Sequence, residues 1–157
     1  MKKLLSFVFA IIMIFSISMF SVKAKNKDVC VTEKIEYFED GSYMITTIEV
    51  EKNNIARATS TVTGSKTVEM YSVSDVKMVT LKLTATFSYT GSSATCTNVS
   101  PTFTVHDSNY RVTKSTGTKS GNKGVGDFTV KHYVLGVPIN TKNVTITITC
   151  SNTGTLS

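Results

Sequence analysis

The sequence predicts an all-β chain, a single antiparallel β-sandwich domain (Ig-like or related) with about eight strands. Its clearest signal is the segment 77–96, where apolar residues occupy every second position from Val79 to Tyr89 and mostly polar residues lie between them. This alternation is typical of a strand with one buried and one wet face. Strand-like segments then recur about every 8–12 residues, a spacing that favours a sandwich, with a barrel as the weaker alternative. No convincing helix follows residue 24, although the start of the segment 55–63 has a composition that a helix would also accept.

The first 24 residues are typical of a secretory signal peptide. Lys2 and Lys3 precede a mostly apolar run over 4–20, and the segment ends in a small-x-small pattern at Ala24. The run is close to the roughly 18 residues that a membrane anchor needs, which leaves an uncleaved anchor helix as the alternative. We therefore predict a signal peptide at 1–24, a domain at 25–157, and a secreted or cell-surface protein without membrane contact after cleavage.

The charge and the isolated histidines argue against a nucleic-acid partner and against a bound metal. Removing 24 of the 157 residues leaves 133, and the loss of three lysines lowers the formal net charge from +6 to about +3. No basic patch with interleaved aromatic residues occurs, so we expect no nucleic-acid partner. His106 and His132 are isolated and no C-x-x-C motif is present, so we expect neither a metal nor another cofactor.

Turn residues divide the domain into its strands. The first hairpin spans 29–51 and turns at Glu39-Asp40-Gly41, where glycine tolerates a positive φ. Pro101 marks an edge strand or a bulge because it cannot donate a ladder hydrogen bond. We predict further turns at 64–66, 74–75, 90–93, 107–109, 119–124 and 136–138, with the last strands at 125–135 and 141–151.

Three cysteines in an exported chain predict one disulfide and one remaining thiol. Cys96 and Cys150 both lie late in clear strands, so a bond between them would staple the last strand to the central hairpin. Closing so large a loop stabilises a fold by about 4 kcal/mol in the loop-entropy model. Cys30 would then stay free or link two chains into a dimer. The pairings Cys30–Cys96 and Cys30–Cys150 remain open.

No catalytic constellation can be assembled from the motifs. The acidic residues lie mostly at turns, where aspartate hydrogen-bonds the backbone. No nucleophile-elbow, zincin or phosphate-loop pattern occurs. His106 adjoins Asp107, whereas His132 lies within a strand. The carboxylates most relevant to a hydrolase are Glu39, Asp40, Asp75, Asp107 and Asp127.

A binding surface has to be sought among tyrosines and hydroxyls because the chain has no tryptophan. The strand pattern puts Tyr37, Tyr89 and Tyr133 at core or flanking positions. Serine and threonine make up nearly a third of the domain, which suits solvent-facing strand positions. A repetitive threonine array for docking an ordered surface would need a fixed repeat, and none appears. Tyrosines free to stack on a sugar are Tyr43, Tyr71 and Tyr110.

Several stretches give the chain a family resemblance. They are Y-F-E-D-G-S-Y from Tyr37, T-F-S-Y-T-G-S-S-A-T-C ending at Cys96, L-G-V-P from Leu135, and T-C-S-N-T-G-T-L-S from Thr149. Together they resemble a group of small exported proteins of unknown function from Gram-positive bacteria. That group carries cysteines matching Cys96 and Cys150, which implies their pairing. It often has tryptophan where this chain has Val79 and Tyr110. The resemblance implies no activity, cofactor or catalytic residue.

The sequence therefore favours an exported binding or interaction module over an enzyme. Its ligand would be a cell-wall component, a surface glycan or a protein, contacted through loops or the threonine face. One alternative is a secreted hydrolase that uses turn carboxylates. Another is a structural or self-assembling surface protein, in which Cys30 would link the copies.

Overall fold

The computed structural model describes residues 33–53 and 60–157. The predicted signal peptide and Cys30 lie outside the described residues. Within these two ranges no helix has the length and apolar character needed to cross a membrane.

Eight strands make up the described chain, and every pairing between them is antiparallel. Five form one sheet in the order β1-β2-β3-β4-β5, and three form a second in the order β6-β7-β8. Their bounds are β1 Glu33–Tyr37, β2 Tyr43–Asn53, β3 Ser60–Tyr71, β4 Lys77–Tyr89, β5 Ala94–Val105, β6 Tyr110–Ser120, β7 Lys123–Val134 and β8 Val137–Thr149. The predicted all-β class and strand number are confirmed. The Ig-like sandwich remains a prediction.

Both sheets contribute to one hydrophobic core whose centre is β4. Leu81, Leu83, Ala85 and Phe87 are completely buried, and the polar residues between them face outward and are half-buried. The second sheet adds buried residues from β7 and β8, among them Phe128, Val130, Ile146 and Ile148. The period-2 pattern of the central strand therefore identified the buried face correctly.

The predicted turn at 64–66 is wrong, because these residues lie in the middle of the single strand β3. Glycine is needed at position 64 because a side chain would have no room there, and not because the chain turns. A Cβ on Gly64 would lie 2.3 Å from Cδ1 of Leu156, so the missing side chain makes room for the carboxy-terminal tail. A glycine within a strand often marks such a close approach.

Two later turns are shorter than predicted. The β6–β7 turn consists of Gly121 and Asn122 alone, and the β7–β8 turn of Leu135 and Gly136, so Val137 and Pro138 already belong to β8. Pro101 lies in β5 and Pro138 in β8, each at the edge of its sheet, where the missing donor costs no ladder bond.

The antiparallel order collects four turns at one end of the molecule: 38–42, 72–76, 106–109 and 135–136. We call this end the apolar pole, because the exposed large hydrophobic side chains of the described residues lie there. The opposite end, which we call the polar pole, holds the turns at 90–93 and 121–122 and the tail 151–157. At the polar pole the tail crosses between sheets: Gly91 N–H donates to Asn152 C=O, and Ser157 N–H to Thr149 C=O.

The face assignment of β4 predicts unequal effects from two neighbouring substitutions. Leu83→Asp would bury an unpaired carboxylate in the core and should prevent folding of the domain. Lys82→Asp changes an outward side chain and should shift the melting temperature by only a few degrees. Circular dichroism melts of both variants test this, and equal damage from the two would contradict the assignment.

Candidate functional site

Exposed hydrophobic side chains are concentrated at the apolar pole. In the described part of the chain, the ten exposed large hydrophobic residues all lie in its turns or in the adjoining strand ends. Exposed apolar side chains gathered at one end of a domain make that end a candidate interaction site. The residues are Ile35, Tyr37, Val73, Val76, Phe103, Val105, Val134, Leu135, Val137 and Ile139.

The β7–β8 hairpin supplies the most exposed of these side chains. Leu135 is 99% exposed at the apex, with Val134 and Val137 exposed on either side. Leu135 and Gly136 have φ values of 51° and 80°. Positive φ at both central residues is the type I′ hairpin geometry, for which Asn-Gly is favoured. A bulky leucine in this region is unusual and strained.

At the β1–β2 turn of the same pole, a polar group joins the two sheets. Lys142 of β8 donates from Nζ to Ser42 Oγ at 2.6 Å, and its Nζ lies 3.4 Å from a carboxylate oxygen of Asp40. Ser42, which is buried, donates both its hydroxyl and its N–H to Asp40 Oδ1. The ammonium also lies 3.5 Å from the ring centroid of Phe38. These contacts fasten the β1–β2 turn to β8.

The chemistry of this group favours a structural role. The Ser42 hydroxyl, and to a lesser extent the nearby Lys142 ammonium, hold the pKa of Asp40 below its usual range. Lys142 donates to the Ser42 hydroxyl, and that hydroxyl directs its own proton to Asp40 Oδ1 rather than to the amine. The Ser42–Lys142 contact is therefore a poor nucleophile–base pair.

A small cavity lies next to the group, between the two sheets. It has a volume of about 20 Å³ and is lined by Asp40, Lys142 and the rings of Tyr110 and His132, among others. Those two rings stack with centroids 4.4 Å apart, and burial raises the pKa of Tyr110. The space suits about one water molecule, which is too little for a substrate.

Three tyrosines form a ladder on the outer face of the five-stranded sheet. Tyr37, Tyr43 and Tyr71 are cross-strand neighbours; the first two ring centroids are 5.6 Å apart, the last two 5.1 Å apart with an 8° interplanar angle. The Lys77 ammonium lies 5.5 Å from the Tyr71 ring centroid. Tyr43 and Tyr71 thus stack face to face, whereas the Tyr37 ring is tilted by 43° to that of Tyr43. Tyr37, predicted at a core or flanking position, is instead 74% exposed.

The remaining candidate carboxylates serve local structure and are not brought together. Asp75 accepts from the Tyr43 hydroxyl at 2.9 Å, Asp107 from the backbone N–H of Asn109, and Asp127 from the Thr145 hydroxyl. Glu39 is exposed in the β1–β2 turn. No cluster of three or more metal-ligating side chains occurs within the described ranges.

The outer face of β3 and β4 carries the predicted threonine surface. There Thr63 and Thr86 hydroxyls hydrogen-bond each other at 3.0 Å, and Thr97 donates to Thr86 C=O. His106 is hydrogen-bonded to Thr80 at the same face, at 2.9 Å from Nε2. These contacts match the role of threonine as a wettable strand residue.

The two cysteines lie close together at the polar pole. Cys96 and Cys150 are buried, and their N–H groups donate to the consecutive carbonyls of Gly121 and Asn122 at 2.8 and 3.0 Å. Burial raises the pKa of both thiols, and the charge of Cys96 further raises that of Cys150. Their sulfurs are unbonded in this structure, so the disulfide remains a prediction.

Comparison with known proteins leaves the function unassigned. No family model matches the chain, and no curated protein matches it. Among solved structures, it is similar to a hypothetical protein of Listeria monocytogenes EGD-e. The identity is 19% and the TM-score 0.42, over 76% of this chain and 86% of that one.

Sequence reasoning missed the apolar apex and the Lys142 contacts. The apex had a readable signal, because apolar residues surround Gly136 where a hairpin turn is normally polar. The Lys142–Ser42 bond joins residues 100 positions apart, and no local pattern reports such a contact.

The positive φ of Leu135 predicts that the apex can be stabilised. Leu135→Asn places a residue tolerant of this geometry in the turn and should raise the free energy of unfolding by about 1 kcal/mol. Leu135→Ala is the control, since it removes the side chain but keeps the unfavourable φ. Urea denaturation measures both variants, and an asparagine variant no more stable than the alanine variant would show that the turn is unstrained.

Proposed function

We propose that the chain is an exported binding module that contacts a protein partner through the apolar pole. The observation that carries this proposal is the confinement of exposed hydrophobic side chains to that end. In sandwich-type domains, loops gathered at one end commonly form the recognition surface. An apolar centre with polar groups around it is also how protein interfaces are built.

A protein partner fits this surface better than a glycan does. Sugar rings stack on exposed aromatic faces, and in the tyrosine ladder Tyr43 and Tyr71 lie face to face. The exposed side chains at the apex are aliphatic: Leu135, Val137 and Ile139. Burying aliphatic groups against another apolar surface lowers the free energy, and a protein partner offers such a surface.

A hydrolase is the less favoured alternative. Its best carboxylate, Asp40, is held by Ser42 and Lys142 beside a cavity of about 20 Å³. Export through residues 1–24 is part of the proposal, because it would place the domain where it meets surface or secreted proteins.

A charge at the apex should abolish binding. Immobilised wild-type domain and Leu135→Asp are exposed to solubilised cell-surface and culture-supernatant fractions of the source organism. Burial of one leucine stabilises a contact by about 1.5–3 kcal/mol, so its loss should weaken capture at least about tenfold. Protease treatment of the fraction should remove the signal, and polysaccharide-degrading treatment should not.

Ser92→Asp is the matched control, since it adds the same charge in an exposed turn of the polar pole. It should capture the partner like the wild type. Two results would overturn the proposal: capture unchanged by Leu135→Asp, or a signal that survives proteolysis and is lost when polysaccharide is degraded.

We also propose that Cys96 and Cys150 form a disulfide in the exported protein. Two features support it: both thiols are buried, and the N–H groups of the two residues donate to the adjacent carbonyls of Gly121 and Asn122, which brings the two backbones together. Formation would proceed by exchange with an external disulfide, which takes up the two electrons and leaves as two thiols. The bond would tie β5 of one sheet to the end of β8 of the other.

The bond should be visible in mass and stability. Intact mass under non-reducing conditions should be about 2 Da lower than after reduction. Cys150→Ser should lower the melting temperature by more than about 10 °C, because a bridge across this loop contributes about 4 kcal/mol. Cys96→Ser should cause an equal loss. Two free thiols at positions 96 and 150 in secreted protein would refute the pairing.

A further inference from the structure

Among the described residues, an open groove lies between the sheets on the side opposite β5 and β6. The strand β8 packs beneath β3 and β4, so β1 and β2 extend the five-stranded sheet beyond it. The groove under this overhang has a volume of about 320 Å³, within the range of ligand sites. Met44 and Val68 line one wall, and Val144 and Ile146 line the other.

On the side of this groove, no strand of the described residues pairs with the backbone of β8. Hydrogen-bonding directions alternate along an antiparallel strand. Cys150 N–H points towards β7 and donates to Asn122 C=O. Thr149 points to the opposite side, where its N–H donates to Ser157 C=O and its C=O accepts from Ser157 N–H. By this alternation Thr145 and Thr147 also direct their peptide groups away from β7. Both residues line the groove.

A lysine occupies one of these positions. Lys66 of β3 donates from Nζ to the backbone C=O of Thr147 at 2.8 Å. Its side chain is half-buried in the groove, and burial lowers its pKa. Glu36 of β1 also lines the groove, and its carboxylate is paired with the Lys34 ammonium. A half-buried ammonium bonded to a neutral carbonyl complements an anionic group.

We propose that this groove binds an extended peptide that carries a carboxylate and adds to the free edge of β8 as a further strand. The peptide N–H would replace the Lys66 ammonium at Thr147 C=O, and Lys66 would turn to the carboxylate. Apolar side chains on one face of the peptide would cover Met44 and Val144. Strand addition of this kind takes affinity from the backbone and specificity from alternate side chains.

The competing explanation is that Lys66 only guards the edge. Lysines on exposed edges prevent unwanted pairing between copies. The two roles have opposite effects on the binding of an acidic peptide. A lysine that only protects the edge weakens pairing with every strand, whereas an anion site strengthens pairing with an acidic strand. The proposal is independent of the apolar pole, which lies at the end of the domain.

Two synthetic peptides separate these roles. One is acetyl-Thr-Val-Glu-Val-Thr-Val-amide, and the other has glutamine in place of glutamate. Titration into labelled domain should shift the backbone amide resonances of Thr145 and Thr147. The glutamate peptide should bind about tenfold more tightly, the value of one charge-assisted hydrogen bond. That preference should disappear in Lys66→Met.

Lys82→Met is the matched control, because Lys82 lies on the outer face and should leave the preference unchanged. Thr145→Pro should weaken both peptides, since it removes an N–H that points into the groove and no ladder bond. If a melt shows Lys66→Met unfolded, Lys66→Gln replaces it. The proposal fails if neither peptide binds the wild type at millimolar concentration, if the two bind equally, or if Lys66→Met binds both more tightly or dimerises in sedimentation.

Discussion

The close packing of β7 against β4 is the constraint on which the other contacts depend. β4 presents a completely buried row of side chains, and β7 approaches it at two glycines. A Cβ on Gly124 would lie 2.9 Å from the Ala85 Cβ, and one on Gly126 would lie 2.8 Å from Cδ1 of Leu83. Contacts this short are essentially unavailable to real side chains, so these two glycines determine the spacing of the sheets. The Lys142 contacts and the Tyr110–His132 stack lie within the layer that this spacing creates.

The two poles differ in what covers the ends of their strands. At the polar pole the tail 151–157 crosses to the larger sheet, where Leu156 lies against Gly64 and Gly154 packs on the ring of Tyr89. At the other pole no tail covers the strand ends among the described residues, and aliphatic side chains occupy the turns. Covering one end and leaving the other apolar is a costly arrangement for a monomer, because exposed apolar surface favours association.

Local structure could be predicted from the sequence, whereas contacts between residues far apart in the chain could not. Alternation along β4 identified the buried face, since burial follows directly from side-chain direction. The turn at 64–66 was wrong because Gly-Ser-Lys has the composition of a turn, whereas its real cause is Leu156, far away in the sequence. The five-to-three division of the strands follows from neither pattern nor turn chemistry, so the groove under β1 and β2 could not be predicted. Of the apolar pole, the four turns could be placed, but not their gathering at one end.

The strain at Leu135 bears on the binding role proposed for the apex. A leucine that is 99% exposed contributes no burial to the fold, and its positive φ costs stability. Asparagine would suit the same turn better, so folding alone gives no reason for leucine there. Strained residues persist where the surrounding structure enforces them and typically occur at functional positions. A side chain that costs the isolated domain free energy can repay that cost only when something covers it. The combined strain and exposure of Leu135 therefore support a partner more strongly than exposure alone would.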